Sequence, residues 1–291
     1  MTRTETSVSV VICSIDAAKF ARVSANYRSL YGERELEIVG IHDARSLSEG
    51  YNRGIARSRG ELLILSHDDI EILTPEFAAR VDRHLAEFDL IGVAGTTRLV
   101  TGKWDSAGDP YAFVLISSPD SDSTGYVTVL RGGGPLVVTG IQALDGVFMA
   151  MRREVAISIP FDEALFDHFH LYDLDFSFRA YRAGFALAVC RDFVLIHQSI
   201  GNFDAVWDKY RRRFVAKHRA LLPDSWAPKT GALARFFATT PDEIRKRCDP
   251  ARLAEVAGQI AAQNANLSCD GRIRTCNRGP DAMRSTRNRA A

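Results

Sequence analysis

The sequence lacks any long hydrophobic run: no apolar segment approaches the roughly 18–20 residues that a bilayer-spanning helix requires, so no transmembrane anchor is expected. It also lacks an excess of one charge. Thirty-seven Lys and Arg stand against 36 Asp and Glu, for a formal net charge of +1. That balance gives no electrostatic footprint for a nucleic-acid partner. Cysteine is sparse, with five residues at positions 13, 190, 248, 269 and 276. An odd number without CxxC spacing argues against both a disulfide framework and a zinc site, and reduced thiols in a cytoplasmic protein are expected. The opening Met1-Thr-Arg-Thr-Glu-Thr6 is polar and does not read as a signal peptide. No internal repeat is present.

What the chain does have is alternation. Of its 291 residues 46% are hydrophobic, enough for the core of one large α/β domain. Apolar β-rich runs at Ser7–Cys13, Leu36–His42, Glu61–Ser66 and Leu90–Gly95 are separated by helix-patterned segments at Asp16–Leu30, Ser46–Arg59 and Thr74–Phe88. Asp16 reads as an N-cap, Ser46 with Glu49 as a capping box, and Thr74-Pro75 as a helix start. This order predicts a mostly parallel sheet covered on both faces by helices. From 100 to 140 the pattern gives way to Gly, Ser, Asp and Pro, which predicts strand pairs and loops with a β-hairpin over the sheet edge. A core strand is expected at Leu144–Met151, a helix at Tyr172–Ala183, short strands at Ala186–Cys190 and Phe193–Ile196, and a basic helix at Val206–Leu222. Residues 223–268 read as a helical extension. The Arg-rich 269–291 has too little apolar surface to build a core and is expected to be disordered.

Three constellations carry chemistry. In Glu61-Leu-Leu-Ile-Leu-Ser-His-Asp-Asp-Ile70 an apolar strand ends in His67, Asp68 and Asp69, at the sheet edge where open α/β folds bind ligands. Two adjacent carboxylates there favour a divalent cation bridging to phosphate oxygens; the bland reading is an acidic loop capping the next helix. In His168-Phe-His-Leu-Tyr-Asp-Leu-Asp-Phe-Ser-Phe-Arg179, Asp173 and Asp175 lie at a helix start. One can accept helix N–H groups, which favours its charged form, and the other can act as a general base; simple N-terminal capping is the alternative. In Val194-Leu-Ile-His-Gln-Ser199 a second histidine, His197, closes an apolar strand and can ligate a borderline cation. Together, Asp69 and His197 for metal and Asp173 as base make a coherent site.

With these residues in view the chain resembles the GT-A glycosyltransferases of the family 2 type, in the subgroup with a His-Asp-Asp variant of the DxD motif. The matching pieces run in order over about residues 7–220: the Val8–Cys13 strand, Ala44–Gly54, Leu62–Ile70, Leu144–Glu154, Phe161–Glu163, His170–Arg179 and His197–Gly201. The resemblance implies a GT-A, Rossmann-like fold over 7–222. A nucleotide-sugar half spans about 7–98, and a small β-rich acceptor half spans about 99–222. It implies a UDP- or GDP-linked sugar donor, a glycan, lipid-linked or other hydroxyl acceptor, and Mn2+ or Mg2+ as cofactor. Cys13, Ser14, Asp43, Asn52 and Asp68 would line the nucleotide. Asp69 and His197 would hold the metal, and Asp173 would be the base of an inverting displacement, with Tyr172 standing where the family has Glu. Asp145, Gly146, Trp104 and Asp175 are candidates for donor-sugar or acceptor contact, Trp104 as a sugar platform or as a hydrophobic plug. His67 reads as a positional variant of the motif, not as a ligand. The basic Lys209–Phe214 helix is a solvated face or a neutraliser of diphosphate or an anionic lipid-linked acceptor, which would put a cytoplasmic protein at the membrane periphery. Two other classes fit parts of the pattern: a non-catalytic sugar- or nucleotide-sugar-binding protein, and a metal-dependent nucleotidyltransferase or phosphohydrolase.

Overall fold

The computed structural model describes residues 6–199, 201 and 203–265. The Arg-rich stretch, Cys269 and Cys276 lie outside the described residues. In chain order the first half runs β1 (Val8–Cys13), α1 (Ala17–Tyr31), β2 (Leu36–Ile41), α2 (Leu47–Arg57), β3 (Leu62–Ser66), β4 (Ile70–Ile72), α3 (Phe77–Glu87), β5 (Leu90–Gly92) and β6 (Ala94–Thr96). There follow β7 (Ala112–Pro119), β8 (Tyr126–Arg131), β9 (Val137–Val138), β10 (Ala143–Leu144), β11 (Phe148–Arg152), α4 (Arg153–Ser158) and α5 (Tyr172–Arg182). The last elements are β12 (Leu187–Cys190), β13 (Leu195–His197), α6 (Ala205–Lys217), β14 (Leu233–Ala238), α7 (Pro241–Arg247) and α8 (Pro250–Asn264).

Seven strands form the main sheet in the order β2-β1-β3-β11-β5-β12-β9. β2, β1, β3, β5 and β12 share one direction; β11 and β9 oppose it. The expected mostly parallel sheet is therefore present. Alternation along β3 sends Leu62 and Ile64 to one core with Tyr27 of α1 and Phe77 of α3. Leu63 and Leu65 go to the other, with Tyr51 of α2 and Phe176 of α5. Each such side chain contributes roughly 1.5–3 kcal/mol by leaving water. α2 can lie close on β1 because Gly54 carries no side chain; a Cβ there would run into Val11.

A second sheet runs β10-β6-β7-β13-β4, with the β7–β8 hairpin extended by β14. The chain passes repeatedly between the two sheets, and the short crossings at β5 to β6 and β10 to β11 divide runs that read as single strands in the sequence. The Leu90–Gly95 run breaks at Val93, and Leu144–Met151 breaks at Asp145-Gly146-Val147. Thr74 caps no helix: its hydroxyl donates to the Val194 carbonyl, and α3 starts later, after Glu76 in a left-handed turn (φ 53°). The extension is not purely helical, since β14 pairs with β8 in register from Leu233↔Arg131 to Ala238↔Tyr126. Asp109, fully buried, fixes this join by accepting from the Arg131 guanidinium (3.1 Å) and from Gly231 N (2.8 Å). Among the described residues no helix is long and apolar enough to cross a membrane.

Candidate active site

The parallel register puts the ends of β1, β2 and β3 level, with Cys13 beside Ile41 and Ile12 beside Ser66. The residues just beyond each strand therefore meet at one edge. Ser14 Oγ donates to Asp68 Oδ2 at 2.6 Å, joining the loop after β1 to the loop after β3. Opposite Asp69, β13 runs antiparallel to β4 and sets His197 against Ile70. Its Nε2 then lies 3.3 Å from Asp69 Oδ1. His67 completes the group: its Nδ1 is 3.5 Å from His197 Nε2 and 3.9 Å from Asp69 Oδ1. These three residues form one of two candidate metal-ligating groups among the described residues.

The hydrogen bonds around His67 settle which nitrogen faces inward. Tyr172 Oη donates to the Gly146 carbonyl (3.3 Å), so it accepts from His67 Nε2, 3.0 Å away. That tautomer leaves Nδ1 with a lone pair directed at Asp69 and His197. Burial, then the neighbouring His197, holds the His67 imidazole below its usual pKa. Burial alone would raise the Asp69 carboxyl, but His197 hydrogen bonding and charge outweigh it and keep it well below the usual carboxylate range. Two imidazoles and a carboxylate, spaced as ligand atoms are around an ion bound at roughly 2.0–2.2 Å, fit a divalent metal. The structure groups His67 with Asp69 and His197, a placement that its reading as a positional variant of the motif did not foresee.

The second cluster, His84, Cys190 and Asp192, is fully buried. Both Asp192 oxygens are engaged by His84 Nε2 (3.1 and 2.9 Å), and Arg80 and Arg83 lie 3.5 and 3.9 Å from one of them. Two guanidiniums beside the carboxylate oppose a cation, and the group is a satisfied internal ion pair.

Asp173 opens α5. No side chain caps this helix; Leu171, in a left-handed conformation, makes the turn. Instead of capping, Asp173 Oδ2 accepts from Gly146 N at 2.8 Å. Gly146 is required at this approach, because a Cβ would strike Tyr172 and crowd Asp173. Desolvation, then the charge of Asp145, pushes the Asp173 carboxyl up to about 7. Asp145 itself is anchored by Trp104 Nε1 (3.0 Å) and Val147 N (3.0 Å). His67, His197, Asp145, Gly146, Asp173 and Trp104 all line one cavity of about 350 Å³.

Other sequence candidates fall elsewhere. Asp175 is fully buried on the far side of α5, bonded to Arg179 (2.7 Å), Lys217 (2.6 Å) and His218 (2.8 Å). Two residues on a helix are about 200° apart, so it cannot share the cavity with Asp173, and it is not a substrate contact. Asn52 spends both ends of its amide on Phe161, donating to its carbonyl and accepting from its N–H, each at 2.9 Å; it staples α2 to the 160s loop instead of facing a ligand. Cys13 turns its thiol onto Gly50 of α2, and burial pushes that thiol up to about 12. Asp43 is exposed at the end of β2, paired with Arg53 at 2.8 Å. Sequence reasoning also missed Phe169, Phe203 and Trp207 on the cavity wall. No local pattern marks them: Phe169 comes from the loop before α5, Phe203 from just before α6 and Trp207 from its first turn.

The chain matches the model of the "Glycosyltransferase like family" over residues 9–218, most of its length, and it belongs to that family. Its fold is GT-A. Sequence comparison with curated proteins gives no match. Similar solved structures include GalNAc-T7 with UDP, GalNAc and Mn2+ (11% identity, TM-score 0.45, 74% of this chain), and this chain spans about half, 48%, of that one. The mannosyltransferase PcManGT from Pyrobaculum calidifontis, in complex with GDP-Man and Mn2+, aligns at 11% identity and TM-score 0.46 over 92% of this chain and 77% of its own. S. aureus TarS aligns at 13% identity and TM-score 0.38, over 74% and 72% respectively.

Proposed function

We propose that the protein is a metal-dependent inverting glycosyltransferase that moves a hexosyl group from a UDP- or GDP-linked donor to an acceptor hydroxyl. The observation that carries this reading is one cavity lined both by His67 and His197, two members of the group that fits a metal, and by a carboxyl, Asp173, poised near neutral pH. A general base works best when its pKa lies near the working pH. Asp173 takes the proton of the acceptor hydroxyl as the oxygen attacks the anomeric carbon from the face opposite the diphosphate. Gly146 N orients that carboxylate. Ser14 and Asp68, locked together at the strand edge, are the contacts proposed for the nucleoside, with Asp43 at its rim. His67, Asp69 and His197 would hold the metal, and a nitrogen-rich set suits Mn2+ better than Mg2+, which prefers all-oxygen ligation. A cation bound there supplies positive charge against the negative charge that builds on the leaving diphosphate.

The test is a thermal-shift titration of UDP, GDP and their sugars with and without Mn2+, followed by donor turnover. Stabilisation of several degrees that needs both nucleotide and metal, loss of that synergy in Asp69→Asn, and release of nucleoside diphosphate are expected. No shift with any nucleotide would sink the reading. Synergistic binding without turnover of any donor would favour a binding protein, and release of pyrophosphate or monophosphate would indicate nucleotidyl transfer or phosphate hydrolysis.

A further inference from the structure

The acceptor end of the cavity differs in chemistry from the metal end. Trp104 stands beside Asp145, whose carboxylate it holds. Facing it, Phe203 and Trp207 meet edge to face, with ring centroids 5.1 Å apart at 84°. Lys103 Nζ lies 4.8 Å from the Phe203 ring and links the two walls. Phe203 is 58% exposed and Phe169, at the same mouth, 46% exposed, an unusual display for large apolar rings beside a polar cleft. Aromatic faces next to hydrogen-bond acceptors suit a ligand with one apolar face and a polar rim, which describes a pyranose ring.

The charges narrow the choice further. The lining carboxylates are Asp105, Asp145 and Asp173, and among the described lining residues Lys103 is the single Lys or Arg. That lysine is already paired with Asp105 at 3.2 Å. Asp145 is held by neutral N–H donors only among its hydrogen bonds. An acceptor bearing a phosphate or carboxylate would meet uncompensated negative charge, whereas sugar hydroxyls would find acceptors for their protons.

We propose that the acceptor subsite takes a neutral saccharide, its ring stacked on the exposed Phe203, which Trp207 supports edge to face, and its hydroxyls directed to Asp145 and Asp173. The proposal rests on the transferase reading above. It is tested by titrating the full chain, without donor, with neutral oligosaccharides and with matched uronic-acid, sugar-phosphate and lipid-phosphate-linked counterparts. Binding is followed by tryptophan fluorescence and calorimetry, and each compound is then assayed as acceptor. Neutral saccharides should bind and accept at least tenfold better than their charged matches. Phe203→Ala should raise the acceptor KM at least tenfold with a smaller effect on kcat, and Phe203→Tyr, which keeps a stacking face, should restore it. A charged counterpart preferred over its neutral match, or wild-type acceptor KM in a folded Phe203→Ala, would overturn the proposal. Hydrolysis of nucleotide sugar by the wild type in water alone is measured in parallel. Hydrolysis without saccharide binding sinks this subsite alone, and saccharide binding without any donor turnover sinks the donor reading.

Discussion

The two sides of α5 carry aspartates two residues apart that have been put to opposite uses. Asp175 faces α6, is wholly buried, and is surrounded by cations: burial would raise its carboxyl, but His218, Arg179 and Lys217 more than offset this and hold it below its ordinary value. Asp173 faces the cavity and has no cation beside it; burial and Asp145 push it up to about 7. The same side chain on the same helix is a carboxyl held low by its partners on one face and one raised toward neutrality on the other. What separates them is the neighbouring charge, since burial drives both in the same direction.

Substitutions at the two positions should break apart cleanly. The largest expected effect is on turnover: Asp173→Asn keeps an acceptor for Gly146 N but cannot take a proton, and kcat/KM should fall by about 10²–10⁴ or more, measured by steady-state assay. The same variant should be somewhat more stable than the wild type. A carboxyl whose folded pKa is raised costs stability once ionised, so the gap should open between about pH 4 and pH 7 and stay level above that. Next in size, Asp175→Ala strands the buried His218 without its partner and leaves Lys217 with Asp162 alone. It should cost about 3–5 kcal/mol in urea unfolding, while the activity per folded molecule changes only a few-fold. A stable Asp175→Ala with ruined turnover would dissolve the contrast. The smallest effect concerns pH: wild-type kcat/KM should climb as pH rises through about 7, because the base must be ionised. Asp145→Asn removes one of the two causes of that shift and should move the limb to lower pH by up to about one unit.

The sequence carried the repeating strand and helix order, since each element's apolar period is local and each strand end is marked by a change to polar residues. It also marks Asp69, His197 and Asp173, the residues proposed for metal and base, because each closes or opens a periodic run. What it could not carry depends on contacts between distant segments. His67 was set aside as a positional variant; its role emerges only when β13 pairs with β4 and Tyr172 fixes the ring. Asn52 looked like a ligand contact because of its neighbours in sequence, yet its amide is consumed by Phe161, 109 residues away. Asp175 seemed equivalent to Asp173 until α6 arrived to neutralise it. The strand at Leu233–Ala238 is hidden for a different reason: its exposure alternates, but apolar Leu233 and Phe237 stand at outward positions, so the sequence shows no polar–apolar alternation.

That strand bears on where the folding unit ends. The family match stops at residue 218, but β8 has β14 as its outer partner all along its length. A chain ending there would bare a six-residue row of unpaired N–H and C=O groups on β8. It would also uncover the Leu130-centred apolar cluster that α7 and α8 cover. Open edges of that kind recruit strands from other molecules. The residues beyond the catalytic domain therefore act as its cover against self-association, and the smallest well-behaved unit is set by β14 and its two helices, not by the last residue that touches the active site.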